Sequence, residues 1–285
     1  MRKGIILAGG SGSRLYPSTK SISKQLLPIY DKPLVYYPLS TLMLADIKEI
    51  LLITSPDQLN LFQKLLGDGS AFGISLQYAV QEKPNGLAES LIIAENFLNG
   101  SPSTLILGDN IFYGAGLEES LLKVSASDGA TVFSYRVNDP ERFGVAEYDE
   151  NMKILSIEEK PKSPKSNYAI TGIYFYDEYA SDYAKSLLPS DRGELEITDL
   201  NKVYLDKGIL KNHPLSRGYA WFDTGTPKAM LDASNFISTV EIRQGIKICC
   251  PEEIALNKGY LNKQSMILEL EGSKDEYSKY ILSLL

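Results

Sequence analysis

The chain has 285 residues, 44% apolar and 23% charged, which suits one large globular domain or two small ones with ample core. A formal net charge of −7 argues against nonspecific binding to nucleic acid, so a phosphate site here must concentrate its cations locally. One histidine, His213, and two adjacent cysteines, Cys249 and Cys250, exclude a disulfide framework and exclude zinc sites or triads built on several His or Cys residues.

The first apolar run, residues 4–7, reads as a short buried strand. No secretory h-region precedes it and no later stretch reaches membrane-spanning length, so a soluble, cytoplasmic protein is expected. Directly behind that strand stands Gly9-Gly10-Ser11-Gly12-Ser13-Arg14-Leu15-Tyr16-Pro17, with Lys24 a little further on. Small residues let backbone N–H groups approach a polyphosphate, and Arg14 and Lys24 add charge that amides cannot supply. For the glycines alone a plain strand-to-helix turn would suffice; the cations point to phosphate. The Walker A spacing is absent. The dinucleotide fingerprint fails because Leu15 occupies the place of its third glycine, and Pro17 argues against an uninterrupted helix. This is a third kind of phosphate loop.

Residues 49–54, 75–80 and 104–107 read as further strands, with helices over 34–45, 58–66 and 87–98 between them. Such alternation predicts an α/β fold, a mostly parallel sheet with helices on both faces and ligands at the carboxyl ends of the strands. Gln81-Glu-Lys-Pro84-Asn-Gly86 leaves the third strand as a turn and opens a helix. Asp109 ends the fourth strand, where it caps a turn or serves as a ligand. From residue 130 the pattern changes: 130–137, 145–148, 154–159 and 167–176 are strand-like, 160–167 is a surface loop, and 194–205 is helical. Residues 219–223 form a strand ending in Asp223, expected to extend the same sheet, before a long helix over 226–243. The organisation expected is one domain over 1–240 and a small helical appendage over 241–285 packed on it. Asp109 and Asp223, two strand-end carboxylates beside a phosphate loop, suit Mg²⁺, a hard cation that takes oxygen ligands. Glu159-Lys160-Pro161 is either a surface ion pair or a paired acceptor and cation.

The glycine loop closely resembles the signature of the sugar nucleotidyltransferases (nucleotide-sugar pyrophosphorylases), Gly-Gly-x-Gly-Thr-Arg-Leu-x-Pro with a later Lys. Ser13 replaces the Thr and keeps its hydroxyl. Further matching runs lie at 166–176, 192–199 and 250–255, so the resemblance covers residues 4 to about 253 and looks like the short bacterial branch of the family. It implies a Rossmann-like mixed, mostly parallel sheet flanked by helices (the nucleotidyltransferase fold). It also implies transfer of a thymidylyl group from dTTP to glucose 1-phosphate with Mg²⁺ as cofactor. In that reading Leu7, Gly9, Gly10, Gly12, Ser13, Arg14, Lys24, Gln25, Gln81, Pro84, Gly86 and Asp109 bind the nucleotide, Gln81 and the Gly86 backbone meeting the base edge. Gly144, Glu159, Lys160 and Thr171 hold the sugar phosphate, and Asp109 and Asp223 hold the metal. Arg14, Lys24, Lys160 and Asp109 carry the catalysis. The resemblance further implies a homotetramer with a feedback site for a nucleotide sugar. Tyr113, Gly114, Arg217, Gly218, Glu253 and Ile254 match parts of that site, and Lys258 stands near where an Arg is often found. The product would feed dTDP-sugar synthesis, dTDP-rhamnose among its destinations. Residue types around Gln81 leave UTP open, and a noncatalytic nucleotide-sugar-binding subunit is the rival from another class.

Overall fold

The computed structural model describes residues 1–10 and 12–285; Ser11 of the glycine loop and the side chains of Ser265 and Glu269 lie outside this description. The first half contains β1 (Lys3–Leu7), β2 (Pro28–Ile29), β3 (Lys32–Pro33), α1 (Tyr36–Leu44), β4 (Glu49–Thr54), α2 (Leu59–Leu66) and β5 (Ser75–Val80). It continues through α3 (Glu89–Ile93), α4 (Glu95–Leu98), β6 (Ser103–Leu107), β7 (Asn110–Tyr113) and α5 (Leu117–Ser125). The second half runs through β8 (Ala130–Arg136), β9 (Gly144–Tyr148), β10 (Ile154–Glu159), β11 (Tyr168–Tyr176), α6 (Ala180–Lys185), α7 (Ile197–Asp206), β12 (Leu210–Pro214) and β13 (Ala220–Asp223). Four helices close the chain: α8 (Pro227–Gln244), α9 (Pro251–Asn257), α10 (Lys263–Leu270) and α11 (Glu276–Ser283).

A nine-stranded sheet organises the molecule, in the order β10-β9-β11-β6-β1-β4-β5, with β8 paired to β11 and β12 to β8. The neighbours β6, β1, β4 and β5 run parallel. Their apolar runs are buried because helices cover both faces. One face packs Ile6, Leu52 and Ile106 against Leu39, Leu42 and Phe62 of α1 and α2. The other packs Ile5, Ile53 and Leu105 against Leu91 of α3, Ala184 of α6 and Leu200 of α7. The parallel strands end along one sheet edge. β11 runs antiparallel to β6, and its Ile173–Ile106 pairing brings Gly172 to the same edge.

Several expectations shift here. The helix expected over 87–98 is two short helices meeting at Ala94. The helix expected from 194 starts at Ile197, because Glu196 is extended and Leu195 exchanges backbone hydrogen bonds with the 85–88 turn. β13 does not extend the main sheet; it pairs with β7 in a separate two-stranded ribbon. β12, an edge strand, lay unread.

Two further features fix the carboxyl-terminal part. Lys32, Glu241 and Lys247 interlock with Asp31, Lys32 lying 3.1 Å from Glu241 and 2.8 Å from Asp31, and Lys247 3.1 Å from Glu241. These four charges sum to zero, with Lys32 and Glu241 buried and Asp31 and Lys247 partly buried, and they tie the β2–β3 hairpin to α8. α9 packs on α1, and Lys258 reaches Asp46 at 2.6 Å and Glu118 at 2.7 Å. Among the described residues no helix is long and apolar enough to cross a membrane.

Candidate active site

The glycine loop leaves β1 at the ligand edge. Gly12 has a φ of 57° and lies against Thr19, whose hydroxyl donates to the Gly12 carbonyl at 2.8 Å. A Cβ at Gly12 would stand 2.9 Å from the Thr19 methyl, so a side chain there would force the loop open. A hollow of about 230 Å³ opens beside it, bordered by Gly10, Gly12, Lys24, Gln81 and Pro84. Ser13 stands exposed at the start of a single 3₁₀ turn that carries Arg14. Leu7 is a core residue whose carbonyl accepts from Gly108 N–H at 2.9 Å. Gln25 is buried behind Gly108, its Oε1 accepting from the Ser23 hydroxyl. Gly9 faces Gln81, whose amide Nε2 donates to Glu89 at 2.6 Å and to the Gly86 carbonyl at 3.2 Å.

On the far side of Lys24 lies a cavity of about 320 Å³, bordered by Arg14, Asp109, Gly144, Glu159, Lys160 and Asp223. Lys24 and Asp109 form a close ion pair that separates the two hollows. Burial works to raise the Asp109 carboxyl, but the Lys24 charge and the hydrogen bonds from Lys24 and Asn110 hold it below the usual carboxylate range. The Asp223 carboxyl goes the other way: burial first, then the charge of Asp109, push it above its ordinary value against Lys24, Arg14 and Arg142. The ribbon sets Asp223 opposite Asp109's neighbour Asn110, and Thr224 N–H and Oγ1 both donate to the Asp109 carbonyl, at 3.1 and 2.8 Å. A buried carboxylate, Asp109, beside a partly buried one, Asp223, fits a hard divalent cation. No group of three or more His, Cys, Asp or Glu gathers among the described residues.

Gly144 approaches so closely that a Cβ would stand 3.2 Å from Thr198 Oγ1 and 3.4 Å from Glu159. Glu159 accepts from Thr198 Oγ1 at 2.5 Å, and Lys160 Nζ lies 3.3 Å from it. Thr171 departs from the expectation. Ile170, Gly172 and Tyr174 border the cavity, whereas Thr171 lies between them in the strand and buries its Oγ1 without a partner among the described residues. Strand alternation turns its side chain to the opposite face. The cavity also takes residues that the sequence did not single out: Asn110, Arg142, Arg192, Glu196, Thr198 and Trp221. Arg192 grips both oxygens of Glu196 at 2.8 Å and comes within 3.7 Å of Glu159. The run Arg192-Gly-Glu-Leu-Glu196-Ile-Thr198 was visible as a matching stretch, and that was the signal for these residues. Arg142 stands 2.6 Å from Asp139 and 3.9 Å from Asp223.

The residues matched to a second site divide. Tyr113, Gly114, Glu253 and Ile254 border one pocket of about 340 Å³ together with Lys247 and Cys249. Arg217 and Gly218 border another hollow, of about 500 Å³. The two meet at Tyr219, which borders the second hollow and whose ring would lie 2.6 Å from a Cβ placed on Gly114.

A family model described as nucleotidyl transferase matches residues 3–240. The chain is 58% identical to a glucose-1-phosphate thymidylyltransferase of Xanthomonas campestris pv. campestris, over 99% of this chain and 97% of the relative. It is 56% identical to the protein of that name from Neisseria gonorrhoeae and 49% to that from Mycobacterium tuberculosis, over 99% of each chain. Among solved structures it is similar to a Bacillus anthracis protein described as a glucose-1-phosphate thymidylyltransferase, in complex with a sucrose (TM-score 0.77, 44% identity, 83% of this chain and 95% of that one). A UDP-glucose pyrophosphorylase complexed with UDP-glucose shares the fold at 21% identity, with a TM-score of 0.75 over 84% of this chain and 99% of that one.

Proposed function

Because the chain belongs to the nucleotidyl transferase family, we propose that it transfers a thymidylyl group from dTTP to glucose 1-phosphate, giving dTDP-glucose and pyrophosphate. The observation that carries this reading is the pair of hollows divided by the Lys24–Asp109 ion pair. A glycine-lined hollow on one side suits a nucleoside triphosphate. A hollow on the other side, bordered by five carboxylates that can accept from sugar hydroxyls and four cations that can hold a phosphate, suits a sugar phosphate.

The chemistry needs no protein nucleophile, since a phosphate oxygen of the sugar phosphate attacks the nucleotide α-phosphorus and pyrophosphate leaves. The protein's work is alignment and charge neutralisation. Gly10 and Gly12 supply a loop open to the phosphates, and Lys24 holds them at the border between the hollows. Arg14, free to reach into the cavity beside Asp223, neutralises charge on the α-phosphate and the leaving pyrophosphate. Gln81, with one amide face turned to Gly9, and the Gly86 backbone read the base edge. Glu159 accepts from sugar hydroxyls, its orientation fixed by Thr198, while Lys160 and the Gly144 backbone hold the sugar phosphate. Asp109 and Asp223 are the residues that would hold Mg²⁺, which would supply positive charge to neutralise the reacting phosphates. The pocket around Tyr113, Gly114, Glu253 and Ile254 takes a nucleotide sugar as a feedback ligand in a homotetramer; its support is that four of the six matched residues border one pocket.

Pyrophosphate release with glucose 1-phosphate and Mg²⁺, offered dTTP, UTP, ATP, CTP and GTP in turn, tests the reading. Release fastest with dTTP and abolished by EDTA is expected. Preference for another nucleotide overturns the specificity, and no release with any overturns the reaction.

A further inference from the structure

Asn110 is 2% exposed and belongs to no role assigned above, yet every polar atom of its side chain is engaged. Its Oδ1 accepts from Trp221 Nε1 at 2.6 Å and from Gly172 N–H at 3.1 Å. Its Nδ2 donates to Asp109 Oδ1 at 3.0 Å. Lys24 occupies the other oxygen, Oδ2. The amide has only one tolerable orientation. If it were flipped, its N–H₂ would face two donors and its oxygen would face a carboxylate oxygen, so three hydrogen bonds would become three repulsions. Gly172 adds independent testimony, because a Cβ there would lie 2.5 Å from Asn110 Oδ1. The strand gives up a side chain at the place where Asn110 needs its backbone N–H.

We propose that Asn110 is a positioning residue for the transfer reaction: it clamps the Asp109 carboxylate on one side while tying down, through Trp221, the strand that carries Asp223. Trp221 and Asp223 lie two apart on β13, and Asp223 pairs with Asn110 itself across the ribbon. One carboxamide therefore fixes the two carboxylates relative to each other. A cation and the phosphates it neutralises meet a preformed pair of carboxylates, rather than one that must be assembled on binding. Outer partners of this kind, which orient ligating carboxylates, change metal affinity about 10–100-fold when removed. The inference rests on the reading of Asp109 and Asp223 as the cation-holding pair.

Two variants test it, Asn110→Ala and Gly172→Ala, of which Gly172→Ala leaves Asn110 chemically intact and pushes on its Oδ1. Free Mn²⁺ is measured by electron paramagnetic resonance at saturating dTTP, alongside quenching of Trp221, the only tryptophan, and thermal unfolding. Asn110→Ala and Gly172→Ala are expected to weaken Mn²⁺ binding about tenfold or more, and to raise half-saturating Mg²⁺ in turnover by a similar factor. The KM for glucose 1-phosphate at saturating metal should change far less. Mn²⁺ affinity unchanged in a folded Asn110→Ala or Gly172→Ala protein overturns the proposal and leaves Asn110 a purely structural bond. If Asn110→Ala does not fold, Gly172→Ala decides with the same two outcomes. Failure of the unaltered protein to bind Mn²⁺ at all would sink the metal reading beneath the inference as well.

Discussion

Gly86→Ala is the substitution whose consequence can be worked out most fully. Gly86 has a φ of 112°, and a Cβ there would lie 2.3 Å from the Leu195 carbonyl oxygen and 2.5 Å from its nitrogen. Backbone atoms cannot swing aside, so reaching even a 3.0 Å approach means parting the two segments by about 0.7 Å. The clasp between them is a pair of backbone hydrogen bonds, Leu195 N–H to Asn85 at 2.7 Å and Ala88 N–H to Leu195 at 3.1 Å. The positive φ costs about 1–3 kcal/mol for a residue with a side chain. Losing both bonds adds about 1 kcal/mol each, so the variant should lose about 3–5 kcal/mol of unfolding free energy. Function is hit on both sides of the clasp: the Gly86 carbonyl accepts from Gln81, and Leu195 lies between Glu194 and Glu196 of the sugar-phosphate cavity. A shift near 1 Å in a positioning element can lower rate about 10²-fold. Urea unfolding and initial rates at varied dTTP and varied glucose 1-phosphate measure the two effects. A loss below about 1 kcal/mol together with an unchanged KM for dTTP would show that the clasp yields freely, and would refute the reasoning.

Arg142→Ala removes a cation facing Asp223 in the cavity; the KM for glucose 1-phosphate should rise about tenfold or more, as for loss of one charge-assisted hydrogen bond, with that for dTTP nearly constant. Asp223→Asn should abolish turnover yet raise the melting temperature of metal-free protein at neutral pH. The folded state raises this carboxyl, so it binds the proton more tightly than the unfolded chain does. The acid therefore destabilises the fold above its raised value and is neutral below the ordinary carboxylate range. Differential scanning calorimetry across that window should show the variant's advantage disappear on acidification, and a lower melting temperature at neutral pH would contradict it. Lys24→Met acts with the opposite sign. Asp109 is held low in the folded state, so its pairing stabilises above the ordinary carboxylate range and is lost as pH falls through the lowered value. The variant should lose about 3 kcal/mol near pH 7, measured by urea unfolding, with the deficit shrinking in acid.

The parts of the site that sit within a few residues of a strand end were legible. Glycines, a hydroxyl and two cations in one short run carry their chemistry locally, and an apolar run that stops at Asp109 or Asp223 announces a strand mouth. What could not be read was pairing. Nothing in Ala220–Asp223 says whether its partner is the main sheet or Asn110–Tyr113, because a four-residue run carries no local mark of the strand it pairs with. Leu210–Pro214 escaped because an edge strand with one wet face interrupts its apolar pattern with Lys211, Asn212 and His213. Thr171 illustrates the period-2 problem: the right segment was chosen, but a one-residue error exchanges the cavity face for the core face. The hub at Asn110 was hidden for a third reason. Its partners, Gly172 and Trp221, are 62 and 111 residues away, and no local pattern marks a carboxamide as anything but a turn residue.

The β7–β13 ribbon has a consequence for how this chain can vary in length. It is only four residue pairs long and, among the described residues, joins no other strand, so its register is held by those pairs and by the side chains they carry. Removing one residue between His213 and Ala220 would slip β13 by a single step, taking Trp221 away from Asn110 and turning Asp223 to the opposite face together. Point changes in the same stretch would move one group at a time. Insertions and deletions should therefore be confined to exposed connections such as residues 186–191, and the short link into β13 should keep its length even where its composition drifts.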